Sequence, residues 1–431
     1  MIGPAAAVLT VRADLVQRLG AILLIAMPVL LVVGQAAADI ALSLIAVLFV
    51  LHSARTRDFA WLEEPWVLVG LTVWIWLMLG AWYVAADTTA ANSRAAPFGR
   101  FVVFAAALQF WLFNDPAVRR TFLRVLGLVL AFVVLDCLVQ YLSGEDLLGR
   151  PAGRIRLTGP FDETVPGGFV SRLAFPLVAF GFGWAATSRG SVPAIGVVAA
   201  TALAGLAIAL TGERAALIMF AFGLGLLFLL LPEARRPLLV TGLIGTLLVG
   251  GAVLTQPDLK TRLVGHTARD LTDFWDRRVG ELLLRGLEVW QAHPVTGIGL
   301  KNFRQHCERD DFEPRGRVEE RCYTHPHHIW NEWLAETGLV GFAGFLALLG
   351  LWGRAIVRGL KRLGTGYPLA LGTGIALLIF LWPLRPSMSF FSNWLGAMFW
   401  LMLGLALAVT APRGRRPRCR CYGGCSPEAW G

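Results

Sequence analysis

Charge is scarce in this chain. Only 16% of its 431 residues are Asp, Glu, Lys or Arg, while 56% are hydrophobic. Soluble domains average about 25% charged residues, so a single core wrapped in a charged surface is excluded. Segments of about ten alternating residues, the mark of a membrane barrel, are also missing. Helices are then the elements that can satisfy their own backbone in lipid. No internal repeat, coiled-coil pattern or low-complexity linker is present, which excludes a solenoid and a string of tethered domains. The first apolar run lacks a small-residue cleavage site and a second run follows at once, so it reads as a span and not as a cleaved signal.

What the chain does have is apolar length. It carries 16 Trp and 26 Phe, and about twelve apolar runs stand near residues 15–34, 36–52, 65–86, 97–113, 121–142, 169–187, 192–211, 213–231, 237–255, 337–353, 366–384 and 389–410. Each approaches the length that crosses ~30 Å of hydrocarbon. The expected fold is an all-α integral membrane protein of about twelve transmembrane helices, with one large outer loop between spans nine and ten. This divides the chain into a nine-span bundle (1–255), a catalytic loop with amphipathic helices (256–336), three further spans (337–410) and a basic tail (411–431).

The net charge of +10 is informative by position. Short loops on one side hold Arg12, Arg18, Arg55, Arg57, Arg119, Arg120, Arg124, Arg189, Arg235, Arg236, Arg354, Arg358, Lys361 and Arg362, and the tail adds more. The positive-inside rule then places both termini in the cytoplasm. Topology accounts for the basic residues without a nucleic-acid partner. Two outer loops break the pattern. Loop 143–168 holds Arg150, Arg154 and Arg156, and loop 256–336 holds six of the seven histidines, all but His52. Loops this long usually carry function. Cys307 and Cys322 fall in that loop, where an oxidising compartment permits a disulfide. Cys137 reads as a small apolar filler inside a span.

Within the loop, 276–292 reads as an amphipathic helix. Val279, Leu283, Leu287 and Trp290 form its apolar stripe, and Glu281, Arg285 and Glu288 the opposite one. "HPVTGIGLKNF" follows as a Pro/Gly-punctuated turn, too short for a nucleotide fingerprint. "THPHHIWNEWLAETGLVG" (324–341) comes next. Pro326 suits the first turn of a helix running from His327, so that His327 and His328 would sit at its N-terminus, where the dipole keeps an imidazole neutral.

Several readings of these residues compete. His325, His327, His328, Glu332 and Glu336 offer metal ligands, yet no H-E-x-x-H is present and Pro326 separates His325 from the helical face. Alternatively a histidine is a general base beside an anion site lined by arginine. Arg214, in "LTGERAALIMF", lies at the outer end of two spans, where it either pairs with Glu213 or clamps an anion. Arg172 inside span six is similar, and Arg385 between Pro383 and Pro386 is a weaker candidate. Arg285 could simply pair with Glu281 and Glu288.

The stretch "THPHHIWNEWLAETGLVGF" resembles the C-terminal motif of the O-antigen ligase and polymerase superfamily: a His, an amide or hydroxyl residue, nine residues, then Gly-x-x-Gly. Counting back from Gly338 and Gly341, the motif histidine is His327. His328 stands where the family has an amide or hydroxyl, and His325 lies outside the pattern. "TGERAAL" and "RGLEVWQAHPVTGIGLKNF" are similar to the segments bearing the family's two arginines. The resemblance implies a lipopolysaccharide O-antigen ligase type of glycosyltransferase on the periplasmic face of the bacterial inner membrane. Its donor would be an undecaprenyl-diphosphate-linked glycan and its acceptor lipid A-core or another glycan, with no cofactor and no metal. Arg214 and Arg285 would hold the diphosphate, His327 would activate the acceptor hydroxyl, and Arg154, Arg156, Arg172, His325 and His328 would line the substrates. A polymerase of the same superfamily is the nearest alternative. A polysaccharide transporter would need broken-helix pairs in corresponding halves, and none is seen in the sequence.

Overall fold

A computed structural model of the chain describes residues 14–153, 156–163, 165–188, 190–276, 278–307, 323–364 and 366–412. Among them regular structure is helical, without a β-strand. Helices α1 (Leu15–Val33), α2 (Gln35–Thr56), α3 (Pro65–Tyr83), α4 (Thr88–Phe110) and α5 (Pro116–Ser143) come first. Two short helices, α6 (Pro166–Leu173) and α7 (Phe175–Thr187), precede α8 (Val192–Leu210), α9 (Arg214–Leu230) and α10 (Arg235–Thr255). The insert carries α11 (Pro257–Lys260), α12 (His266–Thr272), α13 (Arg278–Ala292) and α14 (Phe303–Cys307). Then α15 (Ile329–Leu360), α16 (Tyr367–Leu381) and α17 (Asn393–Thr410) close the bundle.

Nine of these helices, α1–α5, α8, α10, α15 and α17, are long and apolar enough to cross a membrane, among the described residues. The chain is thus a multi-pass membrane protein. A tenth span arises if α6 and α7 count as one, bent by 49°. Pro176 explains the bend, since it has no N–H for the carbonyl of Arg172 and its ring crowds that carbonyl. Two shorter apolar helices, α9 and α16, coincide with the two expected spans that remain.

The bundle is built around α17, which is 89% buried. Its glycines let α4 approach: a Cβ on Gly396 would lie 2.7 Å from the Phe101 ring, and one on Gly404 would lie 2.6 Å from Leu108. Trp400 stacks on Phe101 with ring centroids 6.1 Å apart. Close approach without large side chains is the usual way to gain dispersion between membrane helices.

The insert is locked to the bundle through a break in α15. Gly338 has φ +64° and ψ −172°, a conformation open essentially to glycine alone. An unbroken helix would pair the Leu339 and Val340 N–H groups with the carbonyls of Ala335 and Glu336. Instead the turn after α13 takes all four groups. Leu339 and Val340 donate to Pro294 (2.8 Å) and Val295 (3.4 Å), while Ile298 and Gly299 donate to Ala335 (3.1 Å) and Glu336 (3.0 Å). The two Gly-punctuated motifs of the sequence therefore satisfy each other's backbone. A second apolar cluster of Leu282, Val289, Ile298, Phe303, Cys307 and Ala335 fills the space beneath this joint.

Candidate active site

The histidine segment leads into α15 but does not belong to it. The helix begins at Ile329, two residues later than the expected start at His327, and Pro326 is outside its first turn. The reason is local. His327 adopts a left-handed backbone with φ +52°, uncommon for a residue with a side chain. His328 then acts as the N-cap, its Nδ1 accepting from the Asn331 N–H at 3.2 Å. The other nitrogen of His328 donates to the Pro383 carbonyl at 2.6 Å. Both nitrogens of that neutral ring are thus occupied. Its position is one where a capping side chain works, which explains why an amide or hydroxyl residue suits it.

His325 and His327 face each other with ring centroids 4.1 Å apart, and Tyr323 meets His327 at 5.3 Å. Burial, and then the neighbouring His327, push the His325 pKa down to about 4. Burial likewise lowers His328, against the hydrogen bond to Pro383. His325 and His328 are therefore held neutral, and for His328 burial supplies what a helix dipole was expected to.

Arginines gather around Glu213. This carboxylate accepts from the N–H groups of Gly167 (2.7 Å) and Gly168 (3.0 Å), anchoring the start of α6. Burial raises its pKa, opposed by the Gly167 hydrogen bond, then by the charges of Arg156 and Arg172 and the Gly168 hydrogen bond. Arg214 turns from Glu213 to Asp270, 2.6 Å away. Arg262 donates to the Gly212 carbonyl at 2.7 Å and feels the charges of Arg156 and Arg214. Arg172 and Arg385 are buried, 6% and 7% exposed. Among the described residues no carboxylate lies within ion-pair distance of either guanidinium. Burial and then the Arg172 charge push the Arg385 pKa well down. Glu213 is the opposing charge that both feel, so two buried cations share one carboxylate, and the excess positive charge is costly unless an anion comes to it.

One loop, residues 382–392, joins the two groups. Arg385 sits on it beside Arg172, and Ser387 donates its N–H to the His327 carbonyl at 2.8 Å. The same loop offers the Pro383 carbonyl to His328 and the Ser387 carbonyl to His325. A cationic, anion-demanding cluster is thereby held next to neutral imidazoles. Chemically, that suits stabilising a departing anionic group while a hydroxyl loses its proton.

The expected stripe on α13 is inverted. Glu281, Leu282, Arg285 and Val289 are the buried side chains, while Leu283 and Leu287 are only partly covered. The polar stripe faces α15, where Gly286 sits against Asn331 and Asn331 donates to the Leu283 carbonyl at 2.7 Å. Arg285 is 4% exposed and pairs with Glu288 at 3.0 Å. Arg154 and Cys322 lie outside the described residues. Cys307, the expected partner of Cys322, is buried at the end of α14 and disulfide-bonded. Arg262 gave no signal in the sequence, being one basic residue in a polar loop. Arg385 was visible only as a charge between two prolines in an apolar stretch.

Residues 199–346 match the family described as O-antigen ligase. This match covers about a third of the chain and supports its likeness to the O-antigen ligase superfamily. The O-antigen ligase segment takes in Glu213, Arg214, Arg262, Arg285, the three histidines and the broken helix at Gly338, while Arg156, Arg172 and Arg385 lie outside it. No curated protein matches the chain significantly. For the matched segment the family implies a glycosyltransferase-like O-antigen ligase or polymerase.

Proposed function

We propose that this O-antigen ligase-type enzyme moves a glycan from a polyprenyl-diphosphate carrier, of the undecaprenyl type, to a hydroxyl of an acceptor sugar such as lipid A-core. The observation that carries the reading is the excess of buried positive charge, Arg172 and Arg385 facing the single carboxylate of Glu213 without a direct ion pair. Arg156, Arg214 and Arg262 stand around the same glutamate. A lipid diphosphate is an anion delivered at the membrane surface, and guanidinium forks match phosphate oxygens.

In this reading the diphosphate rests among these arginines, with Arg285 contributing from α13. His327 takes the proton of the acceptor hydroxyl. The acceptor oxygen forms a bond to the anomeric carbon as the carbon–oxygen bond to the diphosphate breaks on the opposite face. The electron pair leaves with the lipid diphosphate, whose growing charge the arginines steady. One displacement inverts the anomeric centre. The donor arrives activated, so the chemistry asks for neither metal nor cofactor.

The same reading puts twelve spans in the inner membrane: nine in residues 1–255 and three in 337–410. Loop 256–336 is then periplasmic, closed by a Cys307–Cys322 disulfide, and the tail 411–431 is cytoplasmic. The test is the lipopolysaccharide ladder of a strain lacking the chain. Loss of long chains with accumulation of lipid-linked glycan is the expected result for a ligase. Surface glycans one repeat unit long would instead indicate a polymerase, and an unchanged ladder would overturn both.

A further inference from the structure

A second polar pocket adjoins the histidines and is not used by the chemistry above. Its volume is about 160 Å³, and it is lined by Arg94, Lys301, His325, Glu332, Glu336 and Ser392 among others. Cavities of about 150 Å³ admit a six-membered ring. Glu332 and Glu336 are 1% and 3% exposed. One oxygen of each is held by backbone: Glu332 accepts from the Phe390 N–H at 2.7 Å, Glu336 from the Lys301 N–H at 3.1 Å. Ser389 stands within reach of the Glu332 carboxyl group, while the remaining Oε1 of Glu336 and the Ser392 hydroxyl have no hydrogen-bond partner. Buried acceptors left in that condition are expensive.

What would satisfy them is set by chemistry. The carboxylates sit beside Arg94 and Lys301, so the pocket has little net negative charge with which to hold a cation. Two carboxylate acceptors, a guanidinium donor and a hydroxyl ask for a ligand that both donates and accepts at several points on a small ring. A sugar does so, and Phe391 in the wall offers an apolar face for its C–H groups. His325 belongs to this wall and also faces His327, so the pocket leads to the proposed base. Lys301 holds a left-handed backbone, φ +60°, while presenting its N–H to Glu336.

We infer that this pocket is the acceptor subsite: Glu332 and Glu336 receive hydrogen bonds from hydroxyls of the acceptor sugar, and Arg94 and Ser392 complete its recognition. The inference rests on the transferase reading. In it, Glu332 and Glu336 bind and orient the acceptor and take no part in holding the diphosphate.

The experiment uses the purified full chain in detergent, an undecaprenyl-diphosphate-linked glycan as donor and a lipid A-core glycolipid as acceptor. KM is measured separately for each substrate, with melting temperature as a check on folding. Glu336→Gln and Glu332→Gln replace one accepting oxygen with a donor. Each should raise the acceptor KM about tenfold to a hundredfold, the cost of leaving a buried donor or acceptor unsatisfied, and leave the donor KM within twofold. Ser392→Ala removes a hydroxyl with no partner in the protein, so it should leave the melting temperature unchanged and still raise the acceptor KM severalfold. If the wild type transfers nothing, the transferase reading falls and the subsite with it. If the wild type transfers but folded Ser392→Ala and Glu→Gln proteins keep the acceptor KM, or shift only the donor KM, the subsite is overturned while the transferase stands.

Discussion

His328 offers a perturbation whose size can be worked from its contacts. Its Nδ1 caps α15 at Asn331 and its Nε2 donates to the Pro383 carbonyl. Alanine loses both. The cap is worth about 1 kcal/mol. Pro383 is solvent-exposed, so water can replace the lost donor and that bond costs about another 1 kcal/mol. Opening of the first turn of α15 should therefore become about 30-fold easier in His328→Ala, and about 5-fold easier in His328→Asn, which restores the cap. Hydrogen exchange of the amides of Asn331 and Glu332, followed by mass spectrometry across 323–336, reads this ratio. Transfer should follow the same order, with Asn close to wild type and Ala clearly reduced. Equal exchange and equal loss of activity in both variants would refute the capping role and return His328 to the list of bases.

Removing one of two buried guanidiniums that share a single carboxylate should have opposite effects on fold and function. Arg172→Met is expected to leave the empty protein as stable or more stable, while it and Arg385→Ala lose donor binding. Arg214→Ala and Arg285→Ala should abolish transfer at normal expression, with Lys a poor rescue; an active Arg285→Ala would reduce that residue to its pair with Glu288. Gly338→Ala would place a Cβ 2.2 Å from the Val295 carbonyl oxygen and 2.5 Å from the Gly297 nitrogen, both backbone. With the left-handed strain added, about 1–3 kcal/mol, the joint should open and activity should vanish, seen as protease sensitivity near residue 295. The pH dependence follows from His325, held near 4 against an ordinary 6.5. Between those values the unfolded segment binds the proton and the folded one does not, so stability is full above about pH 6.5 and is lost as pH falls toward 4. Exchange of 323–328 should accelerate in that window, and a flat profile would contradict the burial of His325.

Much of the scaffold could be read from the chain because lipid imposes a simple rule on length and apolarity. The run at 213–231 became α9 at Arg214–Leu230, and the amphipathic stretch 276–292 became α13 at Arg278–Ala292. Which face of α13 is buried could not be read. Periodicity separates polar from apolar stripes, but here the partner is the polar opening of α15, so Glu281 and Arg285 turn inward. The histidine register was also only half legible. A proline near a helix start suggests the first turn, but the left-handed His327 and the capping ring of His328 depend on the loop 382–392, more than 50 residues away. Arg262 and Arg385 join the cationic cluster through that kind of distant contact, which no local spacing reports. Glu332 and Glu336 could be seen as ligand-like carboxylates; that their second oxygens face a pocket shared with Arg94 required the fold.

The decisive measurement is transfer by the purified protein from an undecaprenyl-diphosphate-linked glycan, scoring product and released lipid diphosphate together. Wild type should release one lipid diphosphate for each glycan joined to the acceptor, with the anomeric centre inverted and no sensitivity to EDTA. His327→Ala should lose about 10²- to 10⁴-fold in rate, the worth of a positioned base, while His328→Asn continues to turn over. A His327→Ala protein that still transfers beside a dead His328→Asn, or an enzyme silenced by EDTA, would contradict the assignment of His327 as the base of a metal-free glycosyl transfer.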